Sequence, residues 1–366
     1  MANRRARATS FWLSLLVVFL VACGGGVATP TATNPATAAQ ATVPATATTA
    51  ARAASPAASL AASPTAAALA SPARVATPAS PVASPGAAGT PAATTYPLTL
   101  KDDAGRAVTL KASPQRIASL AASNTEILYA LGLGDRVAGV EEHSDYPPAA
   151  QAKPKIGGFF QNNIEPVVAL QPDLVLAAGI QSKEYLAALE GQGLTVFVLN
   201  AQSLPGVLDD ITAVGRLADV NGAAATLRAG LQARLDAVAA TLTGATSDPR
   251  VYVEIDPTFY TAGPGSFIND LVTRAGGANI AADAKSPFPQ LSAEAIVARD
   301  PQVIVLADEP AVTADAVKAR SGWAGISAVK DNRIVVIDTN LVSRPGPRVF
   351  DALELLARAF HPELFR

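Results

Sequence analysis

The chain has 366 residues, of which 49% are hydrophobic and 16% charged, and its formal net charge is −2. A nearly neutral chain without a basic run does not favour a nucleic-acid partner. The single cysteine excludes an intramolecular disulfide.

The first 23 residues predict an export signal. Arg4, Arg5 and Arg7 precede an apolar run, 11–22, which is short for a membrane span and follows a basic segment. The run ends in LVAC, which resembles the lipobox of bacterial lipoproteins. This resemblance implies that Cys23 becomes the lipid-modified first residue of the mature protein. A simple signal peptide with an incidental cysteine is the alternative.

Residues 24–95 predict a disordered tether. They are almost entirely Ala, Thr, Pro, Ser and Gly, so they offer no large side chain to bury, and their prolines interrupt helices. A glycosylated or wall-spanning stalk is compatible with the same tethering role. The folded part is then 96–366, about 270 residues, which is enough for two lobes with cores of their own. It contains no apolar stretch of the roughly 20 residues that a membrane helix needs.

The first part of the folded region alternates apolar runs with helical patterns. Ser123 and Glu126 have the spacing of a capping box, and Gly132 or Gly134 would end the helix that it begins. Further helices are predicted at 164–170 and 183–193. The apolar runs of strand length are 117–122, 137–140, 173–178 and 195–200. This order predicts a mainly parallel sheet with helices on both faces.

A long helical connection follows, because 204–243 has apolar residues at helical spacing and no strand-like run. Val220 to Gly222 marks a break in it or the start of its second helix, and a helix of at least four turns is predicted from Leu227 to Leu242. Strand-like runs then return at 250–255, 303–308 and 333–338, and an amphipathic helix closes the chain at 348–359. The predicted division is a first α/β lobe at 96–203, a connecting segment at 204–245 and a second lobe at 246–366.

One sequence unit occurs twice. FFQNNIEPVVALQPDLVLAA at 159–178 aligns with FPQLSAEAIVARDPQVIVLA at 288–307, so that Phe159 matches Phe288 and Glu165 matches Glu294. A single doubly wound domain needs neither this copy nor a long helical break in its middle. Two lobes with a cleft between them account for both, and loops from opposite lobes are a common way to build a ligand site.

Several of these segments carry a family likeness. RIASLAASNTEILYALGLGDRVAGV, IEPVVALQPDLVLAAG, the turn at 276–280 and LSAEAIVARDPQVIVLAD resemble bacterial substrate-binding proteins whose two lobes are joined by one long helix. Such proteins serve ATP-driven importers of vitamin B12, ferric siderophores and haem. The resemblance implies an α/β fold of two Rossmann-like lobes joined by a long rigid helix, as in class III periplasmic binding proteins.

The resemblance also implies a function. SDYPP, FYTAG, PFPQLSAE and SRPGPR look most like the cobalamin-binding branch. The expected protein is an extracytoplasmic, lipid-anchored monomer that captures cobalamin between its lobes and delivers it to a permease dimer with its ATPase. A ferric siderophore or haem as the ligand is the alternative. An α/β enzyme is the third alternative. It is not expected, and neither is a catalytic cofactor, because the chain has no GxSxG, no P-loop and no cysteine nucleophile, and its GPGSF turn lacks the spacing of a dinucleotide fingerprint.

Aromatic side chains in loops are the first candidates for ligand contact. Tyr146, Phe159, Tyr260 and Phe288 are predicted to face the cleft, since burying a flat, mostly apolar macrocycle needs flat side chains on both of its faces. Core filling is the alternative for these four, and it is the prediction for two further phenylalanines, Phe160 and Phe259.

Polar candidates follow from the resemblance. It implies that Asn340 and Arg344 lie near the ligand, where an arginine can donate to oxygens at the ligand edge. Arg348 is either a second such donor or part of a salt bridge at a helix end. A protein-built metal site is not predicted, and His143 is interpreted as a loop residue, with axial coordination of a bound metal as the lesser alternative.

The repeated glutamates have two interpretations. Each lies in the first turn of a short helix, where acidic side chains are stabilised by the helix dipole and by capping, and Asn162 has capping-box spacing to Glu165. In the family that the chain resembles, glutamates at these places face outward and pair with arginines of the permease. The resemblance therefore implies that Glu165 and Glu294 dock the two lobes onto a two-subunit permease.

Overall fold

The computed structural model describes residues 92–160, 163–307 and 312–365. The predicted signal peptide, the lipidation site at Cys23 and the tether up to residue 91 lie outside the described residues. Among the helices that are described, none combines the length and the apolar character that crossing a bilayer requires.

The first lobe begins with an antiparallel hairpin and continues as alternating strands and helices. Its elements are β1 (Leu98–Lys101), β2 (Ala107–Leu110), β3 (Ile117–Ser119), α1 (Ala122–Ala130), β4 (Val137–Val140), α2 (Glu165–Ala169), β5 (Leu174–Ala178), α3 (Lys183–Gly191) and β6 (Val196–Leu199).

Two helices connect this lobe to the second, which repeats the alternation. The connecting helices are α4 (Leu204–Leu217) and α5 (Asn221–Leu242). The second lobe contains β7 (Arg250–Glu254), α6 (Phe267–Arg274), β8 (Ala278–Asn279), α7 (Ala293–Arg299), β9 (Val303–Ala307), α8 (Ala314–Lys318), α9 (Ser327–Lys330), β10 (Ile334–Ile337), α10 (Thr339–Ser343) and α11 (Val349–Phe360).

The two lobes have four-stranded parallel sheets of the same topology. The strand order is β4-β3-β5-β6 in the first and β8-β7-β9-β10 in the second. When the four strands of each sheet are numbered in chain order, both sheets have the order second, first, third, fourth. Each copy of the sequence repeat supplies the short helix and the third strand of its sheet, namely α2 with β5 and α7 with β9. The predicted α/β fold of two lobes joined by a long helix is confirmed.

The start of α1 differs from the prediction. The helix begins at Ala122 with Ala121 as its N-cap, and the cap makes no side-chain hydrogen bond. The capping box predicted from Ser123 and Glu126 is therefore wrong, and Glu126 is free to act elsewhere. The predicted stop is confirmed at Gly132, which has φ 74° and follows the last helical turn.

The β1–β2 hairpin was not predicted, although Leu98, Leu100, Val108 and Leu110 alternate with polar residues around a glycine turn. Its turn covers β6, which is an edge strand of the first sheet. Several hydrogen bonds join them, among which Val198 N–H donates to Asp102 at 3.2 Å, Asp103 N–H to the Val198 carbonyl at 3.1 Å, and Asn200 N–H to Asp103 at 2.6 Å. The hairpin thus satisfies backbone groups that an edge strand would otherwise expose.

The end of the predicted tether contacts the connecting helices. Thr94 donates through its N–H to Asp219 at 2.6 Å and through its hydroxyl to the Arg216 carbonyl at 3.0 Å. Asn221 donates from its side chain to the Ala92 carbonyl at 2.8 Å. The chain therefore enters the folded region across the turn between α4 and α5.

One hydrophobic cluster runs through both lobes. It joins β3 and α1 of the first lobe to β7, α6 and α11 of the second through the buried faces of α4 and α5. Two smaller clusters cover the other face of each sheet. The connecting helices are accordingly part of the core, and each fully buried leucine in them contributes about 1.5–3 kcal/mol to folding.

Candidate ligand-binding cleft

A cavity of about 540 Å³ lies between the two lobes. On the side of the first lobe it is lined by residues that follow the carboxyl ends of all four strands, and on the side of the second by residues before α7 and after β10. The lining residues are Ala121 to Asn124, His143, Phe159, Ala178 to Ile180, Leu199 to Gln202, Asp210, Phe267, Phe288, Asn340 and Ser343 to Pro345.

The topology explains this position. In an open parallel sheet, ligands bind beyond the carboxyl ends of the strands where the strand order reverses, and here that point lies between β3 and β5. The loops after these strands place Ala121 and Ala178 in the lining. The small side chains of Ala121 and Ala178 leave room for a ligand to approach the backbone.

The cavity brings together four of the six residues predicted to contact a ligand. Phe159 and Phe288 line it, one from each copy of the repeat, and so do Asn340 and Arg344. Phe288 is 53% exposed, and the Phe159 ring stacks on His143 with ring centroids 6.3 Å apart and an angle of 5°. The cleft therefore presents an aromatic ring from each lobe.

The two predicted tyrosines do not line this cavity. Tyr146 is an exposed residue that packs under the Arg348 guanidinium, 4.1 Å from the ring centroid. Tyr260 is also exposed and pairs through its backbone with Gln290. Their role as ligand contacts remains a prediction.

The two phenylalanines predicted to fill the core behave differently. Phe259 packs beside the buried Trp323 with ring centroids 5.9 Å apart, so its prediction is confirmed. Phe160 is 84% exposed, and its prediction is wrong. Phe159 and Phe160 lie in a turn, in which Phe159 lines the cleft and Phe160 is exposed to solvent.

Arg344 crosses from the second lobe to the first. It donates to Asp145 at 2.5 Å and to the His143 carbonyl at 3.1 Å. The hydrogen bond from Arg344 lowers the pKa of Asp145 below its usual value. A ligand oxygen that binds Arg344 in this cleft would compete with Asp145 for the guanidinium.

Arg348 also crosses to the first lobe. It donates two hydrogen bonds to Glu126, at 2.6 and 3.1 Å, and Glu126 is only 3% exposed. Burial raises the pKa of Glu126, whereas the hydrogen bond and the charge of Arg348 act in the opposite direction. The salt-bridge interpretation of Arg348 is confirmed, and its partner lies on α1 of the other lobe.

The sequence analysis missed several polar residues of the cleft, namely Asn124, Asn200, Gln202 and Asp210. The available signal was their position: Asn200 directly follows β6, and Asn124 lies in the first turn of α1, which follows β3. Asn200 also depends on Gly179, because a Cβ at that position would collide with the Asn200 side chain.

Glu165 and Glu294 are both exposed in the first turns of α2 and α7. Asn163 accepts from the Glu165 N–H at 3.0 Å, while Asn162 lies outside the described residues. The backbone N–H of Glu294 and the Ser292 side chain lower the pKa of Glu294, which therefore stays ionised. Each glutamate follows a cleft phenylalanine by the same distance in the chain.

The histidines occupy different environments. His143 lines the cleft, and its Nδ1 lies 2.6 Å from the buried Glu141 carboxylate. His361 is buried, and its Nε2 lies 2.9 Å from the Gly276 carbonyl. Within the described residues there is no group of three or more His, Cys, Asp or Glu side chains that could hold a metal ion.

Comparison with known proteins decides the family. The family model for periplasmic binding proteins matches residues 117–341. The chain belongs to the periplasmic binding protein family. The match covers β3 to α10, and thus both sheets and the connecting helices.

Three relatives in the periplasmic binding protein family bear on the ligand. An uncharacterized ABC transporter substrate-binding lipoprotein, YvrC of Bacillus subtilis, is 36% identical over 74% of this chain and 88% of its own length. A cobalamin-binding protein of Halobacterium salinarum is 37% identical over 74% of this chain and 75% of its own. The solved periplasmic heme-binding protein RhuT of Roseiflexus is 28% identical with a TM-score of 0.63, over 69% of this chain and 100% of its own.

The class of function follows from the family. The protein is a substrate-binding component of an ABC importer. Such proteins bind a solute outside the cytoplasm and pass it to a permease without converting it, and they are not enzymes.

Proposed function

We propose that this protein captures cobalamin, or a closely related corrinoid, between its lobes and delivers it to the permease dimer of an ABC importer. The observation that carries the proposal is the cavity between the lobes, into which each copy of the repeat contributes one phenylalanine. Two flat, apolar side chains on opposite walls suit a broad, mostly apolar plate, because such a plate needs apolar contact on both faces.

The polar residues of the cleft support a ligand with uncharged edges. Asn124, Asn200, Gln202 and Asn340 all line the cavity, and each carboxamide can both donate and accept. The amide groups at the edge of a corrin need both kinds of partner. A relative named as a cobalamin-binding protein, with 37% identity, supports the same ligand.

Haem is the second candidate, and His143 favours it. The imidazole lines the cleft, and Glu141 holds its Nδ1, so that Nε2 can serve as an axial ligand of a metal at the centre of a macrocycle. A ferric siderophore is the third candidate. Among the described residues that line the cavity, Arg344 is the one arginine or lysine, which is a small positive charge for an anionic chelate.

We further propose that Cys23 carries a lipid anchor and that the Ala/Pro/Thr/Ser-rich segment after it tethers the binding domain outside the membrane. The LVAC ending and a relative named as a lipoprotein support this anchor. Glu165 and Glu294 are proposed to dock the lobes onto the permease. Their exposure and their equivalent places in the two lobes support that role, and the lowered pKa of Glu294 keeps that carboxylate charged.

The ligand is tested by titrating the full-length protein, purified in detergent, with cyanocobalamin, hemin and a ferric hydroxamate siderophore. We expect cyanocobalamin to bind tightest and to be recovered unchanged. Replacing Phe159 and Phe288 together by alanine should weaken that binding by about a hundredfold, since buried aromatic anchors each contribute more than about 1 kcal/mol.

Leu355→Ala provides the control. It removes an exposed apolar side chain of α11 that does not line the cavity, so its affinity should equal that of the unmodified protein. Tighter binding of hemin than of cyanocobalamin, with loss of that binding in His143→Ala, would replace cobalamin by haem as the ligand.

A further inference from the structure

Asp210 lies on the wall of the cleft, although it is one of the most buried carboxyl groups of the protein. It is 4% exposed, lies on α4 and lines the cavity beside Ala201 and Gln202. Neither the predicted ligand contacts nor the docking residues include it. A buried carboxyl group beside a ligand cavity must be either paired or protonated, because an unpaired buried charge is costly in free energy.

The partner of Asp210 is a second carboxyl group. Its side chain hydrogen-bonds that of Asp103, in the turn of the β1–β2 hairpin. Asp103 already accepts the Asn200 N–H at 2.6 Å, and Asn200 itself lines the cavity. Two carboxyl groups can hydrogen-bond each other only when one of them holds a proton. Asp103 is exposed and Asp210 is buried, so a negative charge is less favourable on Asp210 and the proton resides there.

Neighbouring charges reinforce this assignment. Asp103 and Asp209 both act on Asp210 as like charges, and together with burial, which is the largest cause, they raise its pKa to about 9. The charged groups on the adjacent elements are paired with one another: Arg106 with Asp102, Arg228 with Asp209, Arg274 with Asp270, and Arg348 with Glu126. In the cavity itself the other titratable or charged groups are His143 and Arg344.

We propose that Asp210 is a hydrogen-bond donor in the wall of the cleft and that it receives a carbonyl or carboxylate oxygen at the edge of the bound ligand. Both a corrin with amide edges and a porphyrin with carboxylate edges offer such an oxygen. A carboxylate at this position would instead repel it. This inference rests on the proposed function, because it takes the cavity to be the ligand site.

The test compares the affinity of the full-length protein for cyanocobalamin at pH 7 and pH 10. We expect binding to weaken at pH 10, because Asp210 loses its proton near pH 9 and then repels the ligand oxygen. Asp210→Asn keeps a donor and cannot ionise, so it should bind within about threefold of the unmodified protein at pH 7 and show a smaller loss at pH 10. Asp210→Ala should bind about three- to tenfold more weakly at pH 7.

Asp236→Asn is the matched control, since it removes an exposed carboxylate from α5 and should change neither the affinity nor its pH dependence. Equal affinity of Asp210→Ala and the unmodified protein would overturn the inference while leaving cobalamin as the ligand. The inference would also be overturned if the affinity of Asp210→Asn for cyanocobalamin fell between pH 7 and pH 10 as much as that of the unmodified protein.

A second measurement needs no ligand. Carbon-13 NMR of the aspartate carboxyl groups should show one carboxyl that is protonated at pH 7 and is missing in Asp210→Asn. If every aspartate ionises below pH 6, the inference is wrong whatever binds. If the unmodified protein binds neither cyanocobalamin nor hemin, the proposed function is wrong, and so is the proposed contact between Asp210 and the ligand. The NMR signal still shows in that case whether Asp210 is protonated.

Discussion

Arg344 and Arg348 lie on either side of a Pro-Gly-Pro turn, and both reach from the second lobe to the first. Their surroundings give them different roles. Arg348 is bound to the buried Glu126, which leaves little of its guanidinium for a ligand. Arg344 lines the cavity and is bound to an exposed partner, Asp145, from which a ligand can displace it. The carboxylate that each arginine binds most closely therefore distinguishes the roles proposed for the two residues.

Glu165 and Glu294 carry the prediction at the residue scale. Replacing both by alanine should leave the affinity for cyanocobalamin unchanged and slow its uptake by about tenfold in cells that express the cognate importer, because charges at the rim of an interface mainly set the rate of encounter. Each single replacement should slow uptake by about threefold, because the proposed docking gives each lobe its own permease subunit.

Glu184 and Asp315 provide the matched control pair. Each is an exposed acid in the first turn of a short helix, one in each lobe, but neither belongs to the sequence repeat. Their double replacement by alanine should leave uptake unchanged. A collapse of ligand affinity in the Glu165 and Glu294 double variant would show that these glutamates are cleft residues and that the docking assignment is wrong.

Helices α4 and α5 show how closely the connection between the lobes is packed. An added Cβ at Gly215 on α4 would collide with the Cβ of Ala224 on α5, so the two helices cross at a point where only glycine fits. Gly230 on α5 is exposed, and an added Cβ there meets nothing within 4 Å. The same residue type therefore has a packing role in one helix and none in the other.

These two glycines give a prediction at the element scale. Gly215→Ala should lower the free energy of unfolding by about 1–3 kcal/mol, because overpacking forces the helices apart. Gly230→Ala should raise it by about 0.5–1 kcal/mol, because alanine is the better helix former. Urea denaturation of both variants measures the difference. A gain in stability for Gly215→Ala would contradict the close crossing of α4 and α5.

A shared hydrophobic cluster and ion pairs between the lobes tie them into one body. The hydrophobic cluster is continuous from the first sheet to α11, and the buried Glu126 on α1 is bound to Arg348 at the start of α11. Removing one partner of a buried ion pair leaves the other as an unpaired buried charge. The resulting loss of folding free energy exceeds the net stabilisation that the intact pair provides. The lobes should therefore hinge little when a ligand enters the cleft.

Glu126→Gln tests this connection at the scale of the whole molecule. It should lower the free energy of unfolding by about 1–3 kcal/mol, which is the cost of leaving a buried polar group poorly paired. Glu190→Gln is the control, because it breaks an exposed pair with Arg106 within the first lobe and should cost less than about 0.5 kcal/mol. Equal effects of the two variants, measured by urea denaturation, would argue against a structural role for the contact between the lobes.

The sequence alone determined the fold class. The repeated unit around Phe159 and Phe288, the parallel-sheet pattern and the helical break at 204–243 all depend on local periodicity, which can be read along the chain. Glycine signals, which are equally local, located the helix stop at Gly132 or Gly134 and the break before α5. The hairpin at 98–110 carried an equally local signal that the analysis did not use.

The tertiary structure decided which side chains meet. Glu126 has capping-box spacing to Ser123 but binds Arg348, which is far away in the sequence, and Asp210 touches Asp103 across the turn of a hairpin. Phe159 and Phe160 are adjacent and apolar, yet one lines the cleft and the other is exposed. Such pairings depend on the path of the backbone between distant segments, and local spacing holds no information about that path.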